Sequence, residues 1–206
     1  MSITLTNLLT NGDFESGWTV NSNCTIEFSA DQHLYGTKSL KVTSTNTTVT
    51  KSLVNHSGNI DLVKGHKYYA RCSIYVPNSL ISGGMQCYWP IQEPKLGNLY
   101  KQGAEKSLES SDVNKWTQLS CINVRDNWDS GSYSFRFDVE NIISPNYVYL
   151  DGGMLIDLTA CYGAGHEPSR NTMDMIPFFV GTYRLPPYGI YLKANNKWTC
   201  IREYNY

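Results

Sequence analysis

Eight side chains in this sequence have the types and spacing to grip a polyol. Tyr69, Arg71 and Tyr75 alternate in one run, Arg136 and Asp138 alternate in another, Tyr88 and Trp89 lie between the two runs, and Trp128 stands in the loop ahead of the second. Aromatic faces stack on the C–H patches of a sugar ring, while guanidinium, carboxylate and amide groups in fixed geometry meet its hydroxyls. Neighbours on a strand point to opposite faces, so only one of Tyr88 and Trp89 can join such a surface. A competing role is open to all of them: an outward Tyr covers many a sheet, and Arg136 with Asp138 can simply pair.

Covalent chemistry has little to work with. The chain contains no G-x-S-x-G elbow, no H-E-x-x-H, no phosphate-binding loop and no G-x-G-x-x-G after a strand. His33, His56, His66 and His166 each stand alone in polar, turn-like contexts and read as surface residues. Asp138 and Glu140 lie on one strand face, where ordinary solvated acids are common, and Asp126–Gly131 fails as an EF-hand loop because Trp128 takes a ligand position. The six cysteines are scattered without metal spacing. They read as buried free thiols, although an even number leaves a disulfide framework open. The expectation is a non-catalytic protein.

The elements that must carry these residues are strands. Lys+Arg 17 against Asp+Glu 18 gives a net charge of −1, without the basic excess of a nucleic-acid binder. A charged share of 17% beside an aromatic share of 13% suits a sheet protein faced with Ser, Thr, Asn and Tyr. No apolar stretch is long enough to span a bilayer, and the given N-terminus lacks a signal-peptide pattern, so the expectation is a chain that stays where it is made. From Tyr68 to Val76 the even positions are apolar and predict a core face, leaving Tyr69, Arg71, Ser73 and Tyr75 outward. Tyr133, Phe135, Phe137 and Val139 alternate likewise against Ser134, Arg136 and Asp138. With Cys24–Phe28, Ser39–Thr43, Thr47–Val54, Met85–Pro90, Trp116–Val124 and Tyr147–Ile156, these runs predict an all-β antiparallel sandwich over 1–158. Residues 159–206 form an appendage: a short helix capped by Ser169, then a hairpin of Tyr188–Lys193 and Lys197–Glu203 turning on Asn195-Asn196.

The ordered landmarks resemble a family. Asn7-Leu8-Leu9-Thr10-Asn11-Gly12-Asp13-Phe14-Glu15-Ser16-Gly17-Trp18 is similar to the opening of galactose-binding-like jelly-roll carbohydrate-binding modules. Leu34–Val42, Lys67–Val76, Lys115–Ser120 and Tyr149-Leu150-Asp151 resemble their later strands in order, covering residues 7–158. The resemblance implies a jelly-roll fold, a glycan partner and a structural calcium clipping the first strand to the last. Its ligands would be Glu15 and Asp151 by side chain, and Asp13 and Lys38 by carbonyl, a donor set of hard oxygens. The family often has an acid where this chain has Tyr35, and Asp13 and Glu15 also read as turn and cap residues without a metal. Trp18 and Trp116 match positions that pack structurally in that family and stay outside the expected site.

A second resemblance covers the rest. Met154–Ser169, with Asp157-Leu158-Thr159 and Gly163-Ala164-Gly165-His166-Glu167-Pro168, looks like a motif of bacteriophage tail and minor structural proteins, continued by Met173–Gly181 and Lys193–Trp198. His166 and Asn196 replace the Asn and Gly usual there. The joint expectation is a glycan-binding domain of a phage tail, fibre or baseplate protein, located in the virion, attaching to host-surface polysaccharide and contacting other tail subunits or further copies of itself. Two alternatives accompany it: a virion assembly protein whose aromatics lie at subunit contacts, and the accessory module of a glycan-degrading enzyme. No nucleic acid and no membrane insertion are expected.

Overall fold

The computed structural model describes residues 3–48, 51–77, 87–90, 95–98, 100–101, 108–124, 129–140, 142–185, 189–194 and 197–203. Period-two alternation sets the sandwich. The chain runs through β1 (Thr4–Thr6), β2 (Trp18–Ser22), β3 (Cys24–Ser29), β4 (Ser39–Ser44), β5 (Lys51–Leu62), β6 (Lys67–Tyr75), β7 (Cys87–Pro90), β8 (Lys95–Asn98) and β9 (Tyr100–Lys101). It continues through β10 (Trp116–Val124), β11 (Gly131–Glu140), β12 (Tyr147–Asp157), α1 (Leu158–Tyr162), α2 (Arg170–Asp174), β13 (Thr182–Arg184), β14 (Gly189–Ala194) and β15 (Lys197–Glu203). One sheet has the order β3-β4-β12-β6-β10-β9, the other β2-β5-β11-β7-β8, and every strand pair is antiparallel. This is the jelly-roll sandwich expected from the sequence.

Between the sheets lies the main core. From β6 it takes Tyr68, Ala70, Cys72 and Ile74, with Val76 just beyond, and from β11 Phe135, Phe137 and Val139, all fully buried. The alternation predicted for both runs holds residue by residue. What differs is the far side of β6, expected to be open. Tyr69, Arg71 and Ser73 are 0%, 2% and 2% exposed, and residues 158–185 fold back across Tyr69 and Arg71. A second apolar cluster forms there from Leu5, Tyr69, Met154, Ile156, Leu158, Met173 and Phe179.

The elements missed in the sequence are short ones. β1 and β13 have three residues each and pair only with one another, so neither shows a period. α1, Leu158-Thr159-Ala160-Cys161-Tyr162, follows directly on β12. It becomes helix because the Asp157 carboxylate accepts the Ala160 N–H as an N-cap, and it ends at Gly163 with φ 87°. The helix after Pro168 forms over Arg170–Asp174 with Ser169 as its cap, and the β14–β15 hairpin forms as expected. Among the described residues Cys24, Cys72, Cys121 and Cys161 are free thiols, and burial pushes Cys24 up to about 11 and Cys121 up to about 12. His56 corrects the surface reading: it is 7% exposed, edge-on to Trp18 at 5.5 Å.

The opening motif works as a wedge. Phe14 is fully buried at φ 54°, stacked on Trp18 with centroids 4.4 Å apart. Gly12 passes so close to β12 that a Cβ there would lie 2.1 Å from the Gly153 carbonyl oxygen, a backbone atom that cannot yield. Gly12→Ala is therefore expected to destabilise the fold by about 1–3 kcal/mol or more, read as a lower denaturation midpoint with an unchanged m-value.

Candidate functional site

The predicted site residues do not converge on one groove. Tyr69, Arg71 and Tyr75 are on β6 in the six-stranded sheet, whereas Arg136 and Asp138 are on β11 in the other. The Tyr69 hydroxyl donates to Asp174 Oδ1 at 2.8 Å, and Arg71 Nη1 donates to the Ile176 carbonyl at 2.7 Å. Burial pushes the Tyr69 phenol well above its ordinary range, so it stays a donor. Both residues serve the seal laid by 158–185, and the expectation that they face open solvent is corrected by their burial. Trp128 lies outside the described residues. Tyr88 and Trp89 are placed by backbone register, opposite Asp138 and Gly97 respectively.

On the outer side of the five-stranded sheet, Arg136 grips Asp138 in a two-pronged pair: Nε to Oδ1 at 2.8 Å and Nη2 to Oδ2 at 3.2 Å. The Arg136 side chain is 24% exposed and that of Asp138 2%. Across the ladder Arg136 pairs with Asn55, Asn55 with Thr19, and Asp138 with Leu53 on one side and Tyr88 on the other. A fixed guanidinium edge beside amide and hydroxyl groups can meet vicinal hydroxyls in a defined orientation.

At the junction where the resemblance implies calcium, both carboxylates accept backbone amides. Asp151 is fully buried; its Oδ2 accepts the N–H groups of Leu34 and Tyr35 at 2.7 and 2.9 Å, and its Oδ1 that of Gly152 at 2.7 Å. Glu15 Oε1 accepts the N–H groups of Thr37 and Lys38, and Oε2 takes the Thr37 hydroxyl at 2.9 Å. Asp13 Oδ1 accepts the Glu15 N–H at 3.3 Å, and Lys38 offers its amide to this junction. Amide hydrogens of the 34–38 loop thus aim at both carboxylates, where a cation would need oxygen lone pairs. Both carboxylates of the expected donor set are engaged by amides in this arrangement. Among the described residues no group of three or more His, Cys, Asp or Glu side chains is placed to hold a metal.

A feature the sequence reading left out stands beside Tyr75. Trp116, on neighbouring β10, lies 5.7 Å from it and Tyr149, on β12, 6.0 Å, with Tyr147 a further 5.6 Å from Tyr149. The alternation in Tyr147-x-Tyr149 signalled a shared face, but only the cross-strand register brings these rings together.

No protein-family profile matches this chain, and no curated protein matches it in sequence. Solved structures do match. The arabinose-bound MgGH51 α-L-arabinofuranosidase superposes at TM-score 0.60 with 15% identity, covering 82% of this chain and 29% of that one. The CBM22-2 xylan-binding domain of Paenibacillus barcinonensis Xyn10C gives TM-score 0.48 at 11% identity over 75% of this chain and 98% of that domain. A family 16 carbohydrate-binding module gives 0.48 at 16% over 73% of this chain and all of that one (100%). The chain thus spans less than a third of the arabinofuranosidase it resembles, and likeness at such identities speaks to the fold.

Two measurements check the junction. Burial pushes Asp151 up to about 6 from 3.8, against the lowering by its three amide donors and with Asp13 nearby adding to the rise. The unfolded chain releases this proton first, so the stability the site contributes is full below about 3.8 and is lost as pH rises through about 6. A carboxyl-carbon titration is expected to put the Asp151 midpoint near 6; a midpoint near 3.8 would mean a solvated carboxylate. Calcium or EDTA at neutral pH is expected to leave the melting temperature unchanged, whereas a rise with calcium would show a cation displacing the amides.

Proposed function

We propose that this chain is a non-catalytic glycan-binding domain of a bacteriophage tail, fibre or baseplate protein, attaching to host-surface polysaccharide in company with other tail subunits. The observation that carries the glycan reading is the Arg136–Asp138 pair on the outer side of β11, with Asn55 and Tyr88 beside it in register. Guanidinium and carboxylate hold each other rigid, so little ordering cost remains when hydroxyls dock.

The phage assignment rests on the resemblance of residues 154–169, and the role these residues play in the fold supports a structural use for that motif. The Thr159 hydroxyl accepts the Lys67 N–H at 2.9 Å and donates to Glu167 at 2.8 Å; Glu167 also takes the Lys67 ammonium at 3.1 Å. Backbone and hydroxyl donors with that ammonium hold the Glu167 carboxyl down at about 2. His66 Nδ1 lies 2.8 Å from Asp157 Oδ2, closing the same corner. The motif ties the turn before β6 to the segment after β12.

Arg136→Lys keeps the charge against Asp138 while removing the planar fork. Losing one charge-assisted hydrogen bond to the docked hydroxyls, about 1.5–3 kcal/mol, is expected to weaken glycan affinity roughly ten- to hundredfold, while the weaker grip on the buried Asp138 carboxylate lowers the melting temperature without unfolding the protein. Calorimetric titration against a panel of host-wall polysaccharides reads it. Absence of binding across the panel contradicts the reading, and a stable oligomer that buries this face would favour virion assembly instead.

A further inference from the structure

We propose that the unsealed half of the six-stranded sheet's outer face is a second saccharide-binding surface, on the opposite side of the molecule from Arg136, taking the C–H faces of neutral sugar rings along a line that crosses the strands. The line is set by register. Glu27 pairs with Lys41, Lys41 with Tyr149, Tyr149 with Tyr75 and Tyr75 with Trp116, one residue from each of five consecutive strands. At a strand spacing of about 4.8 Å these steps cover roughly 19 Å, a path of oligosaccharide length.

Chemistry along the path selects a neutral polyol. Trp116, Tyr75 and Tyr147 are half-buried, so their rings are held in place but not covered. The Trp116 indole N–H and the Tyr75 and Tyr147 hydroxyls have no hydrogen-bond partner among the described residues, which leaves donors at the edge of each ring. The rings are tilted to one another, by 57° between Tyr75 and Trp116 and by 72° between Tyr75 and Tyr149. The surface is therefore ridged, with furrows that a sugar ring can enter. Lys41 spends its charge internally, 4.5 Å above the Tyr147 ring and 3.9 Å from Glu27, so the row offers no free cation to an anionic polymer. Tyr149, at the middle of the row, is itself only 4% exposed and braces the rings around it; its hydroxyl lies 3.5 Å from the Asp31 carboxylate, an acceptor for sugar hydroxyls. A protein partner suits the row less well. Three half-covered rings leave on the order of 200 Å² of aromatic surface, far below the ~800 Å² per side of a stable protein interface.

The test is calorimetric titration of the full chain with xylohexaose, cellohexaose, galactan oligosaccharides and host-wall polysaccharide, comparing the unmodified protein with Trp116→Ala, Tyr147→Ala and Arg136→Lys. The Tyr147 variant and the thermal melts guard against a folding defect in the first. The expected result is a site whose affinity falls about tenfold or more in Trp116→Ala and Tyr147→Ala while Arg136→Lys leaves it intact. Binding lost only in Arg136→Lys overturns this proposal and spares the Arg136 reading. No binding to any saccharide overturns both, and self-association abolished by Trp116→Ala would assign the row to a second copy of the chain and overturn the saccharide proposal.

Discussion

A sheet face can serve as core or as recognition surface, and in this molecule β6 and β12 are claimed on both sides. Their inner residues fill the sandwich, while Tyr69, Met154 and Ile156 anchor the second cluster under residues 158–185. One side chain ties the three participants together. Asn7, 3% exposed, donates through Nδ2 to the carbonyls of Gly153 and Phe179 and accepts through Oδ1 from the amides of Leu9 and Leu155. All its capacity is used, as a buried amide requires. The N-terminal segment, the central strand and the returning C-terminal segment are thereby registered to one another.

From that constraint follows where ligand can dock. The half of the face nearest Tyr69 and Arg71 is given over to packing, and what stays available is the Tyr75–Trp116 half and the Arg136–Asp138 side of the other sheet. The sealed half is not polar perfection. Arg71 Nε and Nη2, Ser120 Oγ and Asp174 Oδ2 have no hydrogen-bond partner among the described residues. Such atoms cost stability when buried, so the apolar cluster, not the polar contacts, holds the seal down.

The sequence made most of the sandwich legible because its strands are long and strictly alternating. β10 matches the predicted span at both ends, and the inward residues of β6 and β11 were assigned correctly from period alone. Period says which residues share a face, not what covers that face. Tyr69 and Arg71 are outward from the sandwich as predicted, yet buried, because a segment a hundred residues later returns over them (Arg71 to Ile176, a separation of 105). The family resemblance makes Trp116 a packing residue, whereas its partnership with Tyr75 and Tyr149 depends on registers that no single strand encodes. The same holds for Glu15 and Asp151: their types suggested metal ligands, while the loop amides that occupy them are invisible without the fold.

The central claim is that residues 158–185 are an integral layer over β6 and β12. Native-state hydrogen exchange on the full chain tests it most directly. The amides of Asn7, Leu155 and Met173, each bonded within this layer or to it, are predicted to exchange only as the whole protein unfolds, together with those of β11. Exchange of Asn7 and Met173 through a much cheaper local opening, with β11 still protected, would contradict the account and return Tyr69 and Arg71 to the solvent-facing surface.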